Sequence, residues 1–192
     1  MREKRHFVTV VSGLPRSGTS LMMQMLLAAG ILPLSDGVRE PDEDNPRGYF
    51  ELEAVKATLR DAGWVAQAPG RAVKVIHALL AGLPAGYEYR VVVLRRPIAE
   101  VMESQRRMLV RLGRPPAAGS GDSIARILES QLERAVQALR ERARTAVLEV
   151  DYPRLVAAPR EVVLRVDAFL DGGLDVDAMV ARVDPALYRS HA

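Results

Sequence analysis

Two glycines, Gly13 and Gly18, bracket Leu14-Pro15-Arg16-Ser17 and are followed by Thr19 and Ser20, so the stretch has the Gly-x4-Gly spacing of a phosphate loop with threonine where the usual lysine stands. The chemistry of such a loop is anion binding, because backbone N–H groups in the loop and at the start of the next helix converge on phosphate oxygens. Arg16 is the cation the loop itself offers in place of the lysine. A second basic pair, Arg95-Arg96, precedes Pro97 and is followed by Ser104. A third group is the carboxylate-rich run from Arg39 to Glu51, in which Glu40 and Glu51 are candidate general bases of raised pKa while Asp42, Glu43 and Asp44 read as solvated loop. Lys74 and His77 share the stretch Ala72-Val73-Lys74-Val75-Ile76-His77-Ala78-Leu79.

Positioning these groups requires a scaffold, and the hydrophobic pattern supplies one. Short β-rich runs at 7–11, 72–76, 90–94 and 146–150 show little polar alternation, which predicts strands covered on both faces. Helical patterns lie between them at 19–29, 51–62, 97–112, 123–143 and 160–170. The longest predicts a stripe of Ile124, Ile127, Leu128, Leu132, Ala135, Val136 and Leu139, with Asp122 or Ser123 as its cap. Alternating strand and helix predicts a three-layer α/β/α domain with a central parallel sheet and right-handed crossovers, and the length suits one domain over residues 1–192. Leu32 to Gly48 and Gly113 to Gly121 break the rhythm and read as loops of the kind that carry a site. Strand alternation sends Arg95 and Arg96 to opposite sides, so one of the two can face a ligand. Pro97 suits a first helical turn, and Ser104 falls two turns later on nearly the same face, roughly 10 Å along the axis at 1.5 Å per residue.

The stretch Pro15-Arg16-Ser17-Gly18-Thr19-Ser20 after a first strand resembles the 5′-phosphosulfate loop of sulfotransferases that use 3′-phosphoadenosine 5′-phosphosulfate, PAPS, as donor. The run Val91 to Ser104, with a serine eight residues beyond Arg96, is similar to the family's 3′-phosphate segment, and Leu148 to Pro159 looks like its late strand and turn, where the role is largely structural. The resemblance implies a P-loop NTPase-like fold, PAPS as co-substrate, donor binding by Pro15, Arg16, Ser17, Gly18, Thr19, Ser20, Arg96 and Ser104, and catalysis by Arg16, Lys74 and Glu51, with no metal. A sulfuryl group carries one negative charge rather than two, so an arginine in the loop can suffice where a kinase needs lysine and Mg²⁺. Cytosolic members place a catalytic histidine two residues after the lysine. Here that position is Ile76, and His77, one later, turns to the opposite face of a regular strand. Golgi-type members use a glutamate, which leaves Glu51, Glu40 and His77 open as the base. The family's C-terminal Arg-Lys-Gly segment is absent from Asp184 to Ala192, which places the chain nearer bacterial-type members.

Composition narrows the alternatives. Cysteine is absent and three histidines are present, which excludes disulfides and cysteine-based metal or nucleophile sites. A formal charge of +3 and 5% aromatic residues do not indicate nucleic-acid binding. No apolar run reaches the length of a membrane span, and the basic start, Met1 to His6, is not followed by a signal-peptide core, so the expectation is a cytoplasmic protein. The expected partner is a small-molecule or glycan acceptor. The rival readings are a P-loop small-molecule kinase or NTPase, and a non-catalytic nucleotide-binding module.

Overall fold

The computed structural model describes residues 5–40, 42, 48–114 and 121–184. Outside this set fall the Asn45-Pro46-Arg47 turn, the carboxylates Glu43 and Asp44, most of the 113–121 connection and the 185–192 end.

Four parallel strands, β1 (Val8–Gly13), β2 (Ala72–Lys74), β3 (Tyr89–Arg95) and β4 (Thr145–Asp151), form one sheet in the order β2-β1-β3-β4. Six α-helices, α1 (Thr19–Ala28), α2 (Ile98–Arg111), α3 (Gly121–Arg140), α4 (Tyr152–Ala157), α5 (Pro159–Phe169) and α6 (Val176–Val180), accompany it among the described residues. The valine-rich runs form strands because both faces are covered. Val8, Val10, Val73, Val91 and Val93 join one apolar cluster with Trp64, Leu80, Val101 and Val136. Val11, Val92, Leu94 and Val150 join another with Met22, Leu26, Leu155 and Val163. The result is the expected three-layer α/β/α arrangement, and each fully buried valine or leucine contributes about 1.5–3 kcal/mol against the extended chain. No helix among the described residues is long and apolar enough to cross a membrane.

Register fixes the site. Val11 is the partner of Lys74 on one side of β1, while Gly13 pairs with Leu94 on the other. The loop after β1 therefore leaves the sheet between the ends of β2 and β3, at the carboxyl edge where parallel sheets bind ligands. The irregular segment after α1 forms a strap along the outer edge of β2, with Leu34 N–H donating to Ala72 O at 2.7 Å and Ala72 N–H to Leu32 O at 3.0 Å.

Three expectations need correction. The 51–62 helix does not form: Glu51 is outside any helix, a 3-10 turn covers Glu53–Ala57, and the Glu53 N–H is taken by the Asp36 carboxylate at 2.6 Å. Thr58 then bonds back to Val55 O and accepts from the Trp64 indole at 3.0 Å, so a local hydroxyl network replaces the helical ladder. β2 ends at Lys74, and His77 opens a 3-10 turn, 77–82, instead of continuing the strand. Asp122 and Ser123 lie inside the first turn of α3 and do not precede it.

Candidate functional site

The loop between β1 and α1 is closed by backbone geometry that its glycines permit. Gly18 has φ 99°, and a Cβ there would fall 2.2 Å from the Tyr152 ring. At Gly13 a Cβ would meet the Ser17 hydroxyl at 2.4 Å and the Leu94 carbonyl at 2.8 Å. Arg16 also has positive φ, 70°, in the left-handed region that costs a non-glycine residue about 1–2 kcal/mol. Two hydrogen bonds hold it there: Arg96 Nη1 donates to the Arg16 carbonyl at 2.8 Å, and Arg16 Nε donates to Ser104 Oγ at 3.0 Å. Gly18 caps α1 without a side-chain hydrogen bond, and the first N–H groups of the helix have no partner within it.

Arg96 is itself fixed. Its side chain is 9% exposed, Nε bonds Glu100 Oε2 at 3.0 Å, and its guanidinium stands 5.0 Å from the Tyr152 ring centroid. Arg95 turns the other way, into an ion-pair group with Glu133 at 2.8 Å and with Glu149. It helps line an open cavity of about 670 Å³ with Glu149, Asp151, Arg154 and Arg165, none of which belongs to the loop.

From β2, Lys74 reaches the first turn of α1. Its side chain is 8% exposed, and Nζ donates to Ser20 Oγ at 3.2 Å and to the Tyr49 carbonyl at 2.7 Å. Glu51 Oε1 lies 3.3 Å from that ammonium and 3.0 Å from Arg39 Nη1. Burial pulls Lys74 below the ordinary lysine range, with Glu51 opposing it, and burial likewise lowers Arg16. Tyr49 is 5% exposed, its hydroxyl donates to Asp42 at 2.7 Å, and the Arg39 guanidinium stacks 3.4 Å from its ring centroid. Burial, then the bond to Asp42, raises the Tyr49 phenol above its usual value. No group of three or more metal-ligating carboxylate or imidazole side chains occurs among the described residues.

No family model matches the sequence, and no curated protein matches it. Solved structures do. A sulfotransferase from Mycobacterium tuberculosis H37Rv superposes with a TM-score of 0.59 at 19% identity, over 97% of this chain and 74% of that one. The sulfotransferase domain of the Synechococcus PCC 7002 olefin synthase gives 0.53 at 18% identity, over 100% of this chain and 90% of that one. A sulfotransferase from Alicyclobacillus acidocaldarius gives 0.53 at 16%, over 96% and 97%. The fold is that of the sulfotransferases.

Within this sulfotransferase fold, the residues singled out from the sequence fall into one neighbourhood with definite exceptions. Arg16, Gly18, Thr19, Ser20, Lys74, Arg96 and Ser104 lie on the loop or are joined to it by the bonds above. Pro15 is exposed at the loop tip, and Ser17 is buried beneath it, its hydroxyl lacking a partner among the described residues. Glu51 is present but serves Lys74 and Arg39, while Glu40 is exposed on the strap and makes no hydrogen bond among the described residues. His77 is 5% exposed, with Nε2 3.3 Å from Gln131 Oε1 of α3, so it is roofed away from the loop. Asp42 is no idle solvated carboxylate, since Tyr49 binds it. The sequence pattern around Tyr152 implies a structural role only, yet its ring lies between Gly18 and Arg96. An aromatic directly after a strand end, at the ligand-binding edge of a parallel sheet, is the signal that points there.

Proposed function

We propose that this chain transfers a sulfuryl group from PAPS to a hydroxyl or amine of a small-molecule or glycan acceptor. The observation that carries the reading is the continuous chain Arg96, Arg16 carbonyl, Arg16 guanidinium, Ser104: two cations and a hydroxyl tied to one loop, suited to the separated phosphates of one nucleotide. Gly13 and Gly18, where a Cβ would strike Leu94 and the Tyr152 ring, let the loop turn tightly, a backbone shape that suits a phosphate held by main-chain amides. One solved neighbour, retinol dehydratase, was determined with androsterone and the inactive cofactor PAP, at 15% identity and a TM-score of 0.53 over 93% of this chain and 64% of that one.

Bound PAPS supplies a sulfuryl group on a phosphate that departs as an anion. The amides at the start of α1, with Thr19 and Ser20, hold that 5′-phosphate, and Arg16 and Lys74 neutralise the charge that grows on its bridging oxygen. Glu51 keeps Lys74 on Ser20. Arg96 and Ser104 take the 3′-phosphate, and Tyr152 holds Arg96 and Gly18 in place. Orientation and electrostatics supply most of the rate in transfers of this type.

One observation favours the kinase reading: Lys74 brings back, from another strand, the lysine that the loop lacks. Against it, the ammonium occupies the Ser20 hydroxyl, which in ATP-binding loops serves Mg²⁺. Calorimetric titration separates the two. The sulfotransferase reading expects 3′-phosphoadenosine 5′-phosphate, PAP, to bind at least about tenfold more tightly than ATP with Mg²⁺, a difference of about 1.4 kcal/mol. Preference for ATP overturns it.

A further inference from the structure

We propose that Phe50 is a positioning residue for Lys74: its left-handed backbone turns the Tyr49 carbonyl and the Glu51 carboxylate onto one ammonium. The part this gives Phe50 in the transfer rests on the donor reading above, in which Lys74 stands on the leaving phosphate. Among the described residues, the non-glycines with positive φ are Arg16, Phe50, Arg144 and Asp171. Arg144 sits just before β4 and Asp171 just after α5, where chains commonly turn. Arg16 belongs to the loop after β1, and Phe50 lies between two groups that hold Lys74. At Phe50 φ is 54°, a conformation that bulky side chains rarely adopt and glycine adopts freely.

Strain of this kind persists where the surroundings over-determine it, and it concentrates at functional sites. Phe50 is held from both flanks and by its own ring. On one flank the Tyr49 ring is buried, with the Arg39 guanidinium stacked 3.4 Å from its centroid. On the other, the Glu51 carbonyl accepts from the Asp36 N–H at 3.2 Å, which ties that residue to the strap. The Phe50 ring itself is half-buried against the apolar cluster that contains Met22 and Leu26 of α1.

The effect of the turn is read at Lys74. An extended backbone advances about 3.3 Å per residue and would draw the Tyr49 carbonyl and the Glu51 side chain apart. The left-handed residue between them folds the chain back, so the carbonyl meets Nζ at 2.7 Å while Glu51 Oε1 stands 3.3 Å from it. The third partner of this ammonium is Ser20 Oγ at 3.2 Å, in the first turn of α1. With the Lys74 side chain 8% exposed, water is a poor substitute for any of the three. Glu51 also opposes the effect of burial on the amine, which preserves the charge that a donor phosphate needs. Ring and backbone thus have separable duties: the ring seats the segment on α1, and the turn aims its neighbours at Lys74.

The test separates conformation from packing at this one position. Phe50→Val keeps an apolar side chain but is β-branched and resists positive φ, whereas Phe50→Asn and Phe50→Gly lose the packing and accept the turn. Lys74 is followed by carbon-13 NMR of lysine-labelled protein, in which Lys4 and Lys56 are the only other lysines and Lys74→Met assigns the signal. Calorimetric titration with PAP accompanies it, and urea denaturation shows that each variant folds. In Phe50→Val the Lys74 titration should move downward by at least about half a pH unit, as the buried amine loses Glu51, and PAP affinity at pH 7 should fall about tenfold. In Phe50→Asn and Phe50→Gly the titration should stay within about 0.2 pH unit of the parent and PAP affinity within about threefold, although both unfold at lower urea. A packing role alone predicts the reverse order, with Phe50→Val nearest the parent. That order, or a Lys74 titration unmoved in all three, overturns the assignment. Should Phe50→Val fail to fold, the other two decide: a parent-like titration in both sustains the proposal, and a displacement of about half a pH unit in both overturns it. A parent that binds no PAP overturns the donor reading and the place of Phe50 in the transfer, while the lysine titration still decides whether Phe50 aims the two groups.

Discussion

Lys74 ties together the loop, the strap and the sheet, and its environment sets a pH dependence. Burial lowers its pKa, because the ammonium gives up water that Glu51, Ser20 and the Tyr49 carbonyl replace in part. Between that lowered value and the ordinary lysine range the unfolded chain binds the proton and the folded chain does not, so stability contributed by this group rises with pH across the window. Donor affinity moves the other way. An anion at the loop favours the charged amine, so PAP affinity should fall as pH rises through the lowered pKa, beginning below the range of a free lysine. Titration of PAP from pH 7 to 10 checks this, and Lys74→Met should flatten the profile; an unchanged slope removes Lys74 from the donor site. Gly18 gives a second residue-scale prediction. Gly18→Ala introduces both a left-handed alanine and a contact 2.2 Å from the Tyr152 ring, and should lower stability by about 1–3 kcal/mol and PAP affinity at least about tenfold. Tyr152→Ala in that background removes the contact and should recover part of the stability in urea denaturation, though not the strain. Residue types in the loop were legible because glycine spacing encodes a backbone shape. Tyr152 and Asp42 were not, because their meaning depends on which ring meets which glycine, and pairs brought together by the fold leave no local pattern.

At the scale of elements, strands were read within one or two residues because their valines are buried on both sides, and a continuous apolar run this short and β-branched is rarely stable as anything but an interior strand. The 51–62 helix gives way to short 3-10 turns for a reason that propensity does not register: the Thr58 hydroxyl donates to the Val55 carbonyl and accepts from the buried Trp64 indole. Helix α3 shows a subtler gap between pattern and packing. Its apolar stripe runs the whole length, but only Leu132, Val136 and Leu139 are buried, while Ile124 and Ile127 are 43% and 54% exposed. The amphipathic period set the stripe, and the length of the sheet set how much of it finds a surface to cover. Leu132→Ala should therefore cost about 2–4 kcal/mol in chemical denaturation, whereas Ile127→Ala should stay within about 0.5 kcal/mol. Equal losses would mean that the first half of α3 is packed as closely as the second.

For the molecule as a whole, the proposed phosphate site draws on elements far apart in sequence: the loop after β1, the end of β2, the turn and helix after β3, and Tyr152 after β4. None of these holds the donor alone, so the nucleotide should bind the folded chain and not the unfolded one, and its binding energy should appear as stability of the entire α/β unit. At a PAP concentration one hundred times its dissociation constant the gain is about 2.7 kcal/mol. A chain of this length shifts by about 2–4 °C per kcal/mol, which predicts a rise in Tm of about 5–10 °C. Differential scanning calorimetry with PAP, and with ATP and Mg²⁺ at the same concentration, gives the comparison, ATP, bound at least about tenfold more weakly, being expected to shift Tm by about half as much or less. Arg96→Ala should abolish most of the PAP shift, because it removes a candidate 3′-phosphate contact and the bond that holds the Arg16 carbonyl in its left-handed turn. A full PAP shift in that variant would place the nucleotide elsewhere on the sheet edge, and with it every role assigned to the loop.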